Sequence, residues 1–287
     1  MPNFAANISM MFNEYDFLDR FAAASKSGFK AVEFLFPYDY EPMVLKEKLI
    51  DSNLDLALFN TSPGDWEKNE RGLGSLPGRE GDFEKAVERA LEYADVLGNT
   101  HIHAMSGIVP DQGNPKNHRK TLIENLKRAA PVAEKHGKVL IIEPINTRDI
   151  PGYFLNYQSQ ARSIIEDVGC DNVKLQFDLY HCQIMEGDLA IHMENLIDIC
   201  AHMQIAGTPG RHEPNVGEVN YPYLFQLMDK LGYTGWVGCE YRPKGSTEEG
   251  LSWLHETLLS EEVWDEHYNN RRFRFSGEEA RRKIASR

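Results

Sequence analysis

The feature that most constrains this chain is an alternation. Short apolar runs with strand character and longer segments with helical spacing follow one another eight times. The strand-like runs are residues 4–9, 31–36, 54–60, 100–105, 139–143, 173–178, 201–205 and 236–240. The helix-like segments are 16–27, 42–52, 82–97, 117–136, 159–168, 189–199, 221–231 and 247–259. Helices one, three, four, five and seven end at Gly28, Gly98, Gly137, Gly169 and Gly232, as a left-handed C-terminal stop requires. Right-handed strand–helix–strand units repeated eight times close into a barrel. The expectation is an α/β fold, a single (β/α)8 TIM barrel over residues 1–259. A doubly wound open sheet is the rival, but no Gly-x-Gly-x-x-Gly follows strand one.

Two segments depart from the alternation. Residues 61–81 form a long loop rich in Gly and Pro, the length of a lid or substrate loop. Residues 260–287 form a charged C-terminal extension carrying Trp264, Tyr268, Phe273 and Phe275. It reads either as a solvated tail or as an arm covering those aromatics against another subunit, making a homo-oligomer.

Charge narrows the partners. A net charge of −13 repels phosphate, which argues against nucleic acid and anionic membranes. No apolar run approaches the roughly 20 residues of a membrane helix, and the first residues lack a basic stretch followed by an apolar one. Cys170, Cys182, Cys200 and Cys239 are dispersed, as in a cytoplasmic protein with reduced thiols.

The chemistry is suggested at the strand ends. Glu143, Asp178, Gln204 and Glu240 lie at or near the ends of strands five to eight. In a parallel barrel these ends share one mouth. Period-two alternation turns Gln176 and Asp178, His202 and Gln204, and Glu240 inward, whereas strand five is apolar on both faces. Three carboxylates so close repel, and an oxygen-rich set suits a divalent cation, Mg2+ or Mn2+. A salt bridge or a helix cap is the alternative for each taken singly. His181, three residues after Asp178, and Asp149, six after Glu143, reach toward the same mouth. The alternatives are that His181 orients Asp178 and that Asp149 pairs with Arg148. His103, from His101-Ile102-His103, is either a donor to substrate or a satisfied core histidine. Arg211 and Arg79 are cations for an anionic substrate or members of surface salt bridges.

Several motifs together resemble the hydroxypyruvate isomerase family. These are 4–10 (Phe-Ala-Ala-Asn-Ile-Ser-Met), 32–38 (Val-Glu-Phe-Leu-Phe-Pro-Tyr), 76–80 (Leu-Pro-Gly-Arg-Glu), 142–146 (Ile-Glu-Pro-Ile-Asn), 204–206 with 211–214, 217–221 and 238–241. The resemblance covers roughly residues 1–259 and implies a xylose-isomerase-like barrel. It implies catalytic Glu143 and Glu240 and metal ligands Glu143, Asp178, Gln204 and Glu240. The implied reaction interconverts hydroxypyruvate, a small anionic hydroxy-oxo acid, with tartronate semialdehyde through an enediolate. The sister 2-oxo-tetronate isomerases share most of the motifs, and the segment 142–152 looks more like hydroxypyruvate isomerase. Ketose 3-epimerases, endonuclease IV-like enzymes and a non-catalytic sugar-acid binding protein are the alternatives.

Overall fold

A computed structural model describes residues 2–110 and 113–257. The C-terminal extension therefore lies outside the described residues, as does the end of the eighth helix-like segment. The strands are β1 (Asn3–Asn7), β2 (Ala31–Glu33), β3 (Asp55–Leu56), β4 (Leu58–Asn60), β5 (His101–His103), β6 (Val139–Ile142), β7 (Val173–Asp178), β8 (Cys200–Ile205) and β9 (Trp236–Cys239). All pairings are parallel, in the order β3-β2-β1-β9-β8-β7-β6-β5-β4. The two ends of that order are one chain segment interrupted at Ala57. β3 pairs with β2 and β4 pairs with β5. The Ala57 amide donates to Val32 O and the Asn60 amide to Leu35 O, carrying the contact across the break. The barrel is closed, and the nine strands are the eight expected with the third divided.

Helices α1 (Arg20–Lys26), α2 (Pro42–Asp51), α3 (Glu80–Leu97), α4 (Pro115–Lys135) and α5 (Gln158–Val168) surround the barrel, followed by α6 (Leu179–Met185), α7 (Leu189–Leu196) and α8 (Tyr221–Lys230). A 3-10 turn (Glu248–Leu251) continues into helical residues 252–257. Gly98 and Gly169 take the left-handed conformation at the ends of α3 and α5. Helix α6 falls between the fifth and sixth of the helix-like segments expected from the sequence. Asp178 makes it. As N-cap, its Oδ1 accepts from the Tyr180 and His181 amides at 2.6 and 3.3 Å, so the strand passes directly into a helix.

Two apolar layers fix the side-chain directions. Leu140, Ile142, Val173, Leu175, Phe177, Met203 and Ile205 belong to the large core between sheet and helices. Ala5, Ala31, Ala57, Leu58 and Ile141, with Val139, Ala201 and Trp236 against them, fill the barrel interior. Strand five is thereby decided, because Val139 and Ile141 face in, and Glu143 continues their row. Strand seven keeps the expected phase, with His202 and Gln204 inward and Met203 and Ile205 outward, above one irregularity. Leu175 pairs with Cys200, yet Gln176 pairs with His202. One extra residue, Ala201, bulges from β8, so Ala201 and then His202 and Gln204 all reach the interior.

Candidate active site

Every barrel strand delivers a polar side chain to the same mouth. Asn7, Glu33, Asn60, His103 and Asp178 end β1, β2, β4, β5 and β7, and Gln204 is the penultimate residue of β8. Glu143 and Glu240 directly follow β6 and β9. All eight are buried. Glu143, His103, His181, Glu240, Asp149 and Arg211 line an open cavity of about 450 Å3. A larger cavity, about 760 Å3, lies at the opposite end among residues such as Lys30, Asp55, Thr100 and Trp236, away from this cluster.

Glu143, Asp178, His181 and Glu240 each offer a ligand atom within 4.8 Å of the others. Glu143 Oε1 and Asp178 Oδ2 are buried with no hydrogen-bond partner. Burial, then the charges of Glu240 and Asp178, push the Glu143 carboxyl well above its usual range. Burial likewise raises Asp178 to about 6 and Glu240 to about 8, against the opposing pull of Arg211. Carboxylates that resist ionisation, two with orphaned oxygens, have the donor chemistry that a dication satisfies. The residues present fit that group. Glu143, Asp178 and Glu240 would hold it.

Arg211 is the positive charge nearest these acids. Its Nη2 donates to Glu240 Oε2 at 2.6 Å and lies 4.0 Å from Asp178 Oδ2, while Nη1 donates to Asp149 Oδ2 at 3.1 Å. Burial alone would lower Arg211, but Glu240, Asp178, Asp149 and Glu143 hold it above its usual value. Asp149 therefore pairs with Arg211. Tyr180 adds to this corner, donating its hydroxyl to Asp149 Oδ1 at 3.3 Å beneath the guanidinium.

His181 has an assignable tautomer. Its Nδ1 faces the Asn146 backbone amide at 3.3 Å, and an amide N–H can only donate. The ring is kept neutral by burial, then by Arg211 and His103. Its proton therefore sits on Nε2, which faces Asp178 Oδ2 at 3.6 Å and Glu143 Oε1 at 3.7 Å. In this tautomer His181 is a hydrogen-bond donor toward the cavity, with Arg211 Nη2 3.5 Å from the same nitrogen. His103 Nδ1 lies 3.5 Å from Glu143 Oε2, and neither ring nitrogen has a hydrogen-bond partner. Burial, then His202, lowers His103 to about 3, so the ring is neutral.

Gln204 sits one layer below. Its Nε2 donates to Glu33 Oε1 at 2.8 Å and its Oε1 accepts from Gln176 at 2.6 Å. Glu33 is the hub of that layer. It also accepts from Asn7 at 3.0 Å and meets His202 Nε2 at 2.7 Å. Asn7 passes the contact upward, donating to Glu240 Oε1 at 3.2 Å. A Cβ on Gly238 would fall 2.3–2.5 Å from the Glu33 carboxylate, so only glycine leaves room for it.

Arg79 is not in the cavity wall. Its Nη1 lies 2.6 Å from Glu70 Oε1 and its Nε 2.5 Å from Asp82 Oδ2, and it ties the long loop to the first turn of α3. Sequence reading passed over Asn7, Glu33, Asn60 and Asn146. The strand-end rule it applied to strands five to eight would have found the first three. A second cluster within the same 4.8 Å limit, Cys182, Glu186 and His192, lies outside the cavity wall.

The family described as "Xylose isomerase-like TIM barrel" matches residues 21–257. The chain is 57% identical to the 2-oxo-tetronate isomerase of Cupriavidus necator over 258 residues, 90% of this chain and 99% of that one. It is 47% identical to the hydroxypyruvate isomerase of Escherichia coli over 254 residues, 88% and 98% of the two chains. It is also similar to the crystal structure of a Brucella melitensis protein named AP endonuclease, family 2, at 48% identity and a TM-score of 0.88, covering 89% of this chain and 99% of that one. The closed parallel barrel, the residues at its mouth and these likenesses agree, and the chain belongs to the xylose isomerase-like TIM barrel family.

Proposed function

We propose that this protein is a dication-dependent isomerase of a small hydroxy-oxo acid, moving a carbonyl between adjacent carbons. The observation that carries this reading is the buried trio Glu143, Asp178 and Glu240 around unpartnered carboxylate oxygens. A bound dication would supply positive charge where oxygens become negative as the enediolate forms. The chain's own residues do the rest. One of Glu143 and Glu240 takes the proton from the hydroxyl-bearing carbon. The other carries the returning proton and gives it to the neighbouring carbonyl carbon. One C–H bond breaks and one forms, the hydroxyl proton passes to the former carbonyl oxygen, and the hydroxyl and carbonyl exchange places. His181 Nε2–H is placed to donate to a substrate oxygen. Arg211 holds Glu240 and Asp149 in place.

Hydroxypyruvate and the 2-oxo-tetronates share this reacting unit. The 57% identity to the Cupriavidus necator isomerase favours the four-carbon acid, and the Escherichia coli relative supports the three-carbon one as a second reading. DNA cleavage is disfavoured by the −13 charge. The test measures isomerisation of both acids, with and without chelator, and deuterium uptake from solvent at carbon. Turnover of an acid that chelator abolishes and a dication restores is expected. Full turnover after rigorous metal removal, or no carbon-bound exchange with either acid, would refute the reading.

A further inference from the structure

An anionic substrate must be held beside three carboxylates, so some cation has to meet its charge. The arginines that sequence reading offered are already engaged. Arg211 is bound to Glu240 and Asp149, and Arg79 to Glu70 and Asp82. Two other arginines, Arg71 and Arg242, line the cavity with Glu143 and Glu240. Arg242 is exposed, whereas Arg71 is partly buried.

Arg71 is built into place. Its Nη1 donates to the backbone oxygens of Trp66 and Glu70 at 3.0 and 2.8 Å. Its guanidinium lies 3.5 Å over the Trp66 ring, which in turn packs edge-on to Phe36 at 5.5 Å. Two backbone acceptors and one aromatic face fix the plane of the group without neutralising it. The next residue is clamped. Gly72 forms an antiparallel bridge with Ser106, and a Cβ there would fall 2.6 Å from the Met105 backbone. Glu70, held by Arg79 and by the Asp65 amide, pins the other side. Burial lowers the Arg71 pKa from its usual value.

We infer that Arg71, stacked on Trp66, binds the substrate's carboxylate and makes this barrel select hydroxy-oxo acids over neutral ketoses. The inference rests on the proposed isomerase reading and names the group that recognises the acid. A planar guanidinium with its face covered still offers an N–H edge, the geometry of a two-point carboxylate contact. This residue binds substrate away from the reacting carbons, so its loss should act chiefly on KM.

The test uses the dication-loaded enzyme and its Arg71→Met, Arg71→Lys and Arg242→Met variants. Each is assayed on a 2-oxo-tetronate, on hydroxypyruvate, and on erythrulose, a neutral ketose with a hydroxymethyl group in place of the carboxylate. Isomerisation is followed for the acids and deuterium uptake from solvent for erythrulose. For Arg71→Met, KM for the acids should rise roughly 100-fold, the loss of a charged two-point hydrogen bond. Its activity on erythrulose should stay within about 3-fold of wild type, which shows that the loop and the reacting centre survive. Arg71→Lys should fall between, at roughly 10-fold. Unchanged acid KM in Arg71→Met overturns the inference, as does an equal loss on acid and neutral substrates. So does a larger loss in Arg242→Met than in Arg71→Met. A wild-type enzyme inactive on both acids would instead overturn the isomerase reading.

Discussion

Replacing Glu240 by Gln should strengthen the metal-free fold at alkaline pH while removing turnover. Glu240 is 6% exposed and its pKa is raised from 4.5 to about 8, by burial and by Asp178 and Glu33 against the pull of Arg211. A carboxyl raised in the native state binds more protons there than in the unfolded chain. Its contribution is therefore fully present below about pH 4.5 and is lost as pH rises toward 8. At about 1.4 kcal/mol per unit, ionising Glu240 costs the metal-free fold on the order of 5 kcal/mol at the upper end of that window. Glutamine avoids this cost and can still accept from Arg211, but Arg211 then keeps fewer carboxylate partners. A net gain of about 2 kcal/mol is expected at pH 8.5, or roughly 4 °C in Tm. At pH 5 the gain should vanish. Thermal unfolding followed by circular dichroism in chelator, at both pH values, reads this directly. A variant less stable than wild type at pH 8.5 would show that Glu240 is a net stabilising partner of Arg211 and that its raised pKa is wrong.

Two further outcomes follow from the same geometry. Mg2+ or Mn2+ should raise Tm, by about 2–3 kcal/mol of stability at a hundredfold excess over Kd. The rise should be larger at pH 8 than at pH 5.5, because protons compete for Glu143, Asp178 and Glu240; a pH-independent shift would place the ion elsewhere. Gly238→Ala should cost about 2–3 kcal/mol, since the new methyl meets a Glu33 carboxylate that Asn7, His202 and Gln204 hold still. Wild-type stability in that variant would mean that the layer beneath the acids yields readily.

The eightfold alternation is visible in the sequence because period and punctuation are local properties. The convergence of Glu143, Asp178 and Glu240 follows from topology alone, since a parallel barrel gathers its strand ends. Other features depend on partners distant in sequence. Glu33 reads as one acid at the end of a short apolar run, and its meaning comes from His202 and Gln204, 169 and 171 residues away. Arg79 and Arg71 look alike in one loop. Only the fold shows Glu70 and Asp82 claiming the first and Trp66 receiving the second. Helix α6 escaped notice because seven residues are too few to display a periodicity, and its cap is also a member of the acidic cluster.

The additional residue in β8 divides the barrel lumen into two storeys. Beneath it the strand offers Ala201 to a floor of small aliphatic groups. Above it, the register is offset by one, so His202 and Gln204 look inward where an unbroken ladder would have sent Met203. Were Ala201 paired regularly with Gln176 instead of bulged, Met203 would turn inward and an oily storey would replace the polar one above an undisturbed floor. A single peptide unit thus decides whether this scaffold encloses chemistry or merely fills itself.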